Sequence, residues 1–572
     1  MIHHEILPPE RIHTLAIPVH TGDRPLFPWE KTGDWRTQRP VHHLATAPCS
    51  VGCPAGTRIR DAIALAMVGR QDDAWKVFKE ANPFPAITGR VCYHPCEAEC
   101  SRGTFDDPVV IHSIERALGD YGLERGLKMP PHQPTGKHVA VVGSGPAGLS
   151  AAYYLTLNGH NVTVYESAAQ IGGMLRFGIP HYRLPVSVLD AELEGLQTMG
   201  IQFLPNTPIE TEEQWRTLSE YDAVFLAIGC QLSMRLNVPG IRNSGVIDGL
   251  SFLNQVNAGS ADHLPERIVV IGGGNVAIDA ARCAVRCGAK NVRLVCLESL
   301  EEMPASYEER QQAQAEGIEI MPGRSVRSIV DDHGQARGVQ CIEIDSFSFG
   351  PGGELHIEAV PGSEHVLKAD AVITCIGIKA DTSSLPAELD LDKAQLLTGM
   401  PVHFGEGWMV ACGDVVSGPT RVADAIASGR ITSRRIDALL ANQSFEDEMS
   451  SVPFDPESLN IACFATIPRQ NPIERSPKER VLDFNEIEVP ISEDAMVAEM
   501  ERCLYCGDCN LCSNCWAFCP DLAVNITSGE SDGTYTMLKG EHMDINYEVC
   551  KGCGICAREC PRGAIAMEKE EK

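Results

Sequence analysis

Positive charge is scarce in this chain: 48 Lys and Arg stand against 77 Asp and Glu, a formal charge of −29. Nucleic acids and anionic membrane surfaces need a basic face to offset the approach of phosphates, so both are disfavoured as partners. Long apolar runs are missing too. No stretch approaches the roughly 20 apolar residues that span a bilayer, and the opening MIHHEILPPERIHTL has no apolar core of signal-peptide length. The expectation is a cytoplasmic chain with no membrane span, whose macromolecular partners are proteins. Hydrophobic residues still make up 44% of the 572 positions, enough for ordinary cores spread over about three to five domains.

What the chain does have is cysteine, 23 of them. In an oxidising compartment so many would read as disulfides, but most fall in cluster spacings, which belong to a reducing interior and suit oxygen-poor conditions. Cys509, Cys512, Cys515 and Cys519 precede Pro520, and Cys550, Cys553, Cys556 and Cys560 precede Pro561. Each run is CxxCxxCxxxCP, in which three thiolates of one tight loop grip a cubane while the fourth reaches across to a second one. One [4Fe–4S] cluster then takes Cys509, Cys512, Cys515 and Cys560, and the other takes Cys550, Cys553, Cys556 and Cys519. Zinc usually uses two separated CxxC pairs, and disulfides fit a triplet at spacing three poorly. Cys503 and Cys506 extend the first run upstream at the same spacing. Pro520 sets the register and leaves them over, either unliganded or serving another site.

Residues 138–166 read as an apolar strand, a glycine-rich turn, a helix and a second strand ending in Glu166. The turn is Gly143, Ser144, Gly145, Pro146, Ala147 and Gly148. Its first Gly makes the tight bend, the second lets the backbone approach a pyrophosphate at the helix N-terminus, and the third lets helix pack on strand. Glu166 falls where a carboxylate accepts hydrogen bonds from the adenosine ribose. The pattern recurs about 130 residues later with Gly272, Gly274, Asn275, Val276 and Ala277, Ala277 being small enough for the third position. Two such units suggest two dinucleotides and a hydride passing between them. AIG ending at Gly229, CIG ending at Gly377 and ACGD with Gly413 and Asp414 each follow a short apolar strand. Their order indicates that the first nucleotide domain is interrupted by the second and resumes near residue 380.

In order along the chain come CSVGCPAG (49–56), GRVCYHPCEAECSRG (89–103), VVGSGPAGLSAA, GGMLRFGIPHYRLP (172–185), GGGNVAIDAAR, EEMPAS (301–306) and CGDVVSGPTRVADAIASGR (412–430). Over residues 45–440 this order resembles the glutamate synthase small-subunit family, whose relatives include the N-terminal half of dihydropyrimidine dehydrogenase and the large subunit of the electron-bifurcating transhydrogenase. The resemblance implies an α/β fold with two Rossmann-like domains, the NAD domain inserted in the FAD domain. It adds an N-terminal α-helical iron–sulfur domain, and the appended C-terminal module reads as a ferredoxin-like α+β domain. The expected segments are an N-terminal extension (1–45), the helical domain (46–130), the first stretch of the FAD domain (131–260), the NAD domain (261–380), the second stretch of the FAD domain (381–445), a Pro- and acid-rich linker (446–495) and the ferredoxin (496–572). By similarity, Gly173, Met174 and Arg183 line the flavin, Asp414 binds its ribityl or phosphate oxygens, and the helix carrying Ala425 points its positive N-terminus at the isoalloxazine.

Two departures from the family matter. Relatives often carry an extra CxxC upstream of Cys49, but this chain reads VHHLATAPC there, so a single N-terminal cluster is expected. By similarity it takes Cys53, Cys92, Cys96 and Glu115, with Cys49 and Cys100 as alternatives for one of these ligands. NADPH-using relatives place an Arg pair shortly before EMPA, where this chain has Leu297 and Glu298. An acid there accepts from a free 2'-hydroxyl and repels a phosphate, which favours NAD(H) over NADP(H). The functional expectation is an NADH-dependent oxidoreductase that passes hydride to FAD and single electrons through [4Fe–4S] clusters to a protein such as a ferredoxin. By similarity, that partner is a sulfite reductase-type enzyme or a 2-oxoacid oxidoreductase, and a homodimer is plausible. The alternatives are a flavin-based bifurcating subunit and a scaffold with a structural flavin.

Overall fold

The computed structural model describes residues 32–43, 45–261, 263–350, 355–385, 399–445, 454–528 and 541–570. The N-terminal stretch read above for targeting lies outside the described residues, as do the first residues of the expected linker.

Two parallel sheets form the centre. The first has the strand order Val402–Phe404, Gly407–Ala411, Ala223–Leu226, His138–Val142, Asn161–Tyr165 and Gln202–Leu204. All its pairs are parallel except the 402–411 hairpin. Its central strands are apolar almost throughout, as strands covered on both faces must be. The second sheet runs Glu319–Met321, Asn291–Val295, Arg267–Ile271, Ala371–Thr374 and Val246–Asp248, and a four-stranded antiparallel sheet over 324–368 packs beside it. The chain crosses between the two domains twice, and the crossings pair with each other as Leu232–Ser233 against Ile378–Lys379. The inserted domain takes in Val246–Asp248, so it begins before that strand rather than at 261. The reason is pairing: this strand extends the second sheet beside Ala371–Thr374.

Helices Ile59–Met67, Gln71–Ala81, Pro85–Val91 and Ile111–Glu124 build the N-terminal domain around a core of Ile63, Phe78, Ile111 and Ile114. Pro85–Val91 and Ile111–Glu124 touch backbone to backbone: a Cβ on Gly89 would lie 2.6 Å from the Arg116 Cα, and one on Gly119 2.6 Å from the Ala86 Cα. This approach sets Glu115 beside the end of Pro85–Val91, where Cys92 is the C-cap.

Two segments more than 500 residues apart in sequence meet in the fold. Gln38–His42, assigned above to an N-terminal extension, pairs antiparallel with Ile565–Lys569 and so closes the ferredoxin module. The expected linker is a docked strap. Ile487 joins the core of the second domain, and Glu486 and Glu488 pair with Arg90 and Arg116 of the helical domain. Arg480, almost fully buried, places its Nε 2.8 Å from Glu316, which Arg282 and Arg286 also hold at 2.8 Å.

Burial opposes ionisation of Glu316, but the hydrogen bonds from Arg286 and Arg282 outweigh it and hold the carboxyl down at about 2. A depressed carboxylate pKa contributes stability that is present above the unfolded value of about 4.3 and lost as pH falls through the folded value. Glu316→Gln should therefore lower unfolding free energy by about 3 kcal/mol at neutral pH by stranding three buried arginines. In urea titrations the gap between variant and wild type should close as pH drops from about 4 towards 2; a gap independent of pH would contradict this account.

Candidate functional site

The two glycine-rich turns open onto one cavity of about 1860 Å³ between the nucleotide domains. Gly143, Ser144, Gly145, Pro146 and Ala147 line it from the first domain, and Gly272, Gly274, Asn275 and Val276 from the second. Helices Pro146–Leu157 and Asn275–Arg286 start there, capped by Gly145 and Gly274. A Cβ added at either cap would meet no atom within 4 Å. Each turn thus leaves open space at a helix N-terminus, the cradle a pyrophosphate takes. Gly148 and Ala277 lie off the cavity and serve packing: Ala277 is fully buried, and a Cβ on Gly148 would collide with the Gly143 carbonyl. Gly413 is also a packing position, since its Cβ would sit 2.6 Å from that of Ala147.

Glu166 borders the cavity with its carboxylate held in place. One oxygen accepts from the Ser144 N–H at 3.0 Å and the Ser144 hydroxyl at 2.5 Å, and the other from the Ala168 N–H at 2.7 Å. Gly173, Met174, Gly229, Gly377 and Ala425 line the same space. Asp414 does so too, accepting from Thr420 at 2.6 Å, with burial raising its pKa. Arg183 reaches the wall, but its guanidinium is committed to Asp279 at 2.7 Å and Glu309 at 2.5 Å. It ties segment 172–185 to the second domain rather than standing free at a flavin edge. Glu298 lines the second-domain side, beside the turn: a Cβ on Gly273 would run into its carboxylate.

The helical domain sorts its candidate ligands into two groups. Cys53, Cys92 and Cys96 lie together with Glu115, whose charge helps burial push all three thiols up. Burial lifts Glu115 itself to about 7 against hydrogen bonds from Thr88 at 2.7 Å and Asn82 at 2.8 Å. This donor set fits the cluster expected by similarity. Cys49 and Cys100 belong to neither that group nor a disulfide; they adjoin Cys503 and Cys506.

In the ferredoxin module the fold carries out the exchange read from spacing. Cys509, Cys512, Cys515 and Cys560 line one small cavity. Cys519 lies with Cys550, Cys553 and Cys556 instead. The Ala523 N–H donates to the Cys519 sulfur at 3.2 Å and the Ala564 N–H to the Cys560 sulfur at 3.4 Å, the kind of contact that tunes a cluster.

Arg421 was not singled out in the sequence. It precedes helix Val422–Leu440, lines the cavity and holds Asp424 at 2.6 Å. That hydrogen bond raises its pKa, as does charge on Cys92 and Cys53. Val91 and Tyr93, on either side of Cys92, line the same cavity, so the Glu115 cysteine group abuts the nucleotide space.

Residues 137–429 match the family Pyridine nucleotide-disulphide oxidoreductase, 37–127 match Dihydropyrimidine dehydrogenase domain II, 4Fe-4S cluster, and 508–564 match 4Fe-4S dicluster domain. The NADP(+)-dependent formate dehydrogenase subunit beta of Moorella thermoacetica is 35% identical over 81% of this chain and 71% of its own length. The NADPH-Fe(3+) oxidoreductase subunit beta of Geobacter sulfurreducens is 32% identical over 81% of this chain and 75% of its own. The small chain of Escherichia coli NADPH glutamate synthase is 34% identical over 67% and 86%. Among the described residues no helix is long and apolar enough to cross a membrane.

The open caps give separable expectations. Gly145→Val should yield protein that loses its flavin on gel filtration, read as the flavin-to-protein absorbance ratio. Gly274→Val should keep flavin but weaken nicotinamide binding about tenfold or more, a loss of about 1.4 kcal/mol. Equal flavin loss in both would contradict the division of labour. With its three domain matches and relatives 32–35% identical over two thirds or more of its length, the chain belongs to the glutamate synthase small-subunit-like family of iron–sulfur flavin oxidoreductases.

Proposed function

We propose that this chain carries electrons between a nicotinamide dinucleotide, NADH in preference to NADPH, and a protein partner. The observation that carries the reading is that both glycine turns and Val91 and Tyr93, the residues flanking Cys92, border one cavity. Bound FAD and clusters would supply the conversion between a hydride and single electrons. The chain's own residues position: each open cap receives a pyrophosphate, Glu166 and Asp414 offer carboxylates to ribose or ribityl hydroxyls, and the start of helix Val422–Leu440 places positive partial charge at the cavity wall. No side chain need move a proton to the nicotinamide, so alignment of the two rings carries the rate.

The nucleotide preference rests on Glu298. A carboxylate beside the second turn accepts from a 2'-hydroxyl and repels a 2'-phosphate. Arg324 also borders the cavity, but it is bound to the Pro322 carbonyl at 2.8 Å and to Glu343 at 3.1 Å. Two of the relatives above are named for NADPH and one for NADP(+), so this site is where the chain would diverge from them.

The partner is proposed to dock at the ferredoxin end. Trp516, Phe518, Leu522 and Ile555 are 37–53% exposed there, close in sequence to the exposed Cys512 and Cys553. Apolar residues grouped on a strongly acidic protein mark a protein-binding face.

Anaerobic stopped-flow absorbance tests the whole. NADH should bleach the flavin and iron–sulfur bands together, with NADPH about tenfold slower or worse, and Glu298→Arg should reverse that order. Equal rates for the two nucleotides would overturn the preference, and no bleaching by either would overturn the function.

A further inference from the structure

Cys503 and Cys506 fall outside both iron–sulfur segments matched at 37–127 and 508–564. The fold nevertheless fastens the turn that bears them onto the helical domain. Buried Arg60 donates from one nitrogen to the Ala45 carbonyl at 2.9 Å and to the Cys506 carbonyl at 2.8 Å. The Ala45 N–H donates to the Gly507 carbonyl at 3.1 Å, and Arg102 donates to the carbonyl of Arg502 at 2.8 Å. Only glycine allows this seating, since a Cβ on Gly507 would come 2.8 Å from the Ala45 Cβ. Cys49, Cys100 and Cys503 pack against one core there, and the Arg60 bond holds Cys506 on the same turn.

The backbone of this turn repeats that of the ferredoxin loops. Around Cys512, Leu511 and Ser513 have φ of +59° and +66°; around Cys553, Gly552 and Gly554 have +72° and +79°. Around Cys506, Tyr505 and Gly507 have +53° and +73°. Left-handed geometry costs a tyrosine about 1 kcal/mol. What it gains is a nest of N–H groups of the kind that cradles iron–sulfur clusters. Spacing points away from a single ion. Zinc at about 2.3 Å from each sulfur would bring sulfurs to about 3.8 Å of one another. Among the described residues, however, the one group of three or more potential ligands within 4.8 Å is His94, Glu97 and His112.

The geometry points to a fourth [4Fe–4S] cluster, held by Cys49 and Cys100 of the helical domain and by Cys503 and Cys506 of the segment leading into the ferredoxin. Cys53 lies four residues after Cys49, and Cys100 four after Cys96. Helices Pro48–Gly52 and Pro95–Ala98, which set these pairs, pack together. Each pair thus gives one sulfur to this cluster and one to the Glu115 group, while Cys509 of the ferredoxin follows Cys506 by three residues. The sites form a continuous series from the cavity to the module. An electron leaving one cluster oxidises it by one and reduces the next by one. Two such passages carry the pair released when NADH becomes NAD+ and a proton.

The ligand set stands independently of nucleotide and direction, so its deciding test uses neither. Iron and acid-labile sulfide are measured per flavin on the anaerobically purified, reconstituted full chain. The expected content is about 16 of each, four per cluster, falling to about 12 in a Cys503→Ser, Cys506→Ser variant that keeps its flavin. A variant with the wild-type count overturns the assignment. So does a wild-type chain with about 12 or fewer, which decides the matter even if the variant does not fold. In the variant, NADH should still bleach the flavin at the wild-type rate while the ferredoxin bands respond at least about tenfold more slowly.

Discussion

The seating of the segment leading into the ferredoxin on the helical domain depends on a buried charge network around Arg502. Its guanidinium, fully inaccessible, meets Glu499 at 2.5 Å, Asp106 at 3.0 Å and the carbonyls of Pro108 and Ile467 at 3.0 Å. Glu499 in turn accepts from the Val110 N–H at 2.7 Å and the Gln470 N–H at 2.9 Å, and Asp106 accepts from Nε and one terminal nitrogen of Arg102. Burying so many charges has a large desolvation cost, and the net stabilisation is small when every partner is present. Removing any one partner strands the others at about 3–5 kcal/mol. The network therefore acts as a register pin. It permits one seating of the strap on the helical domain and so determines where the cysteine pair and the ferredoxin come to rest.

The same logic holds at the cavity. Arg183 with Asp279 and Glu309, and Arg480 with the Glu316 that Arg282 and Arg286 also hold, are ion pairs to the inserted domain with almost no solvent access. They join segment 172–185 and the strap to the inserted domain. A hydride transfer needs two rings held at contact distance, and misplacement by about 1 Å costs on the order of a hundredfold. Rigid charge pairing across the seam, rather than loose apolar contact, supplies that precision in a chain whose two nucleotide domains are connected by only two short crossings.

The acidic surface and the ferredoxin face are complementary features. Net negative charge disfavours phosphate-rich surfaces, while the exposed aromatic and aliphatic residues of the module offer one place where a protein can bury apolar area. Both cluster-bearing ends of the chain converge there through the pairing of Gln38–His42 with Ile565–Lys569. The nucleotide cavity and the ferredoxin module therefore belong to one packed assembly, not to two unrelated ends.

Much was legible from the sequence because its signals are local. Glycine turns between strand and helix, the CxxCxxCxxxCP runs and the interrupted order of nucleotide motifs each reflect steric or ligand requirements within a few residues of one another. They pointed to the two Rossmann-like domains and to the grouping of the ferredoxin cysteines, whereas the Glu115 group was implied only by the family resemblance. The boundary at 261 went astray because Val246–Asp248 is too short to announce which sheet it will extend. The strap read as a linker because its acids and prolines resemble solvated chain until Arg90, Arg116 and His112 are seen to meet them. Cys503 and Cys506 had the right spacing but no local partner. Their neighbours, Cys49 and Cys100, lie some 400 residues or more away, and only the close packing at Gly507 and the charge network at Arg502 bring the two pairs together. Proximity across such separations is set by burial and ion pairing between distant segments, which no local spacing encodes.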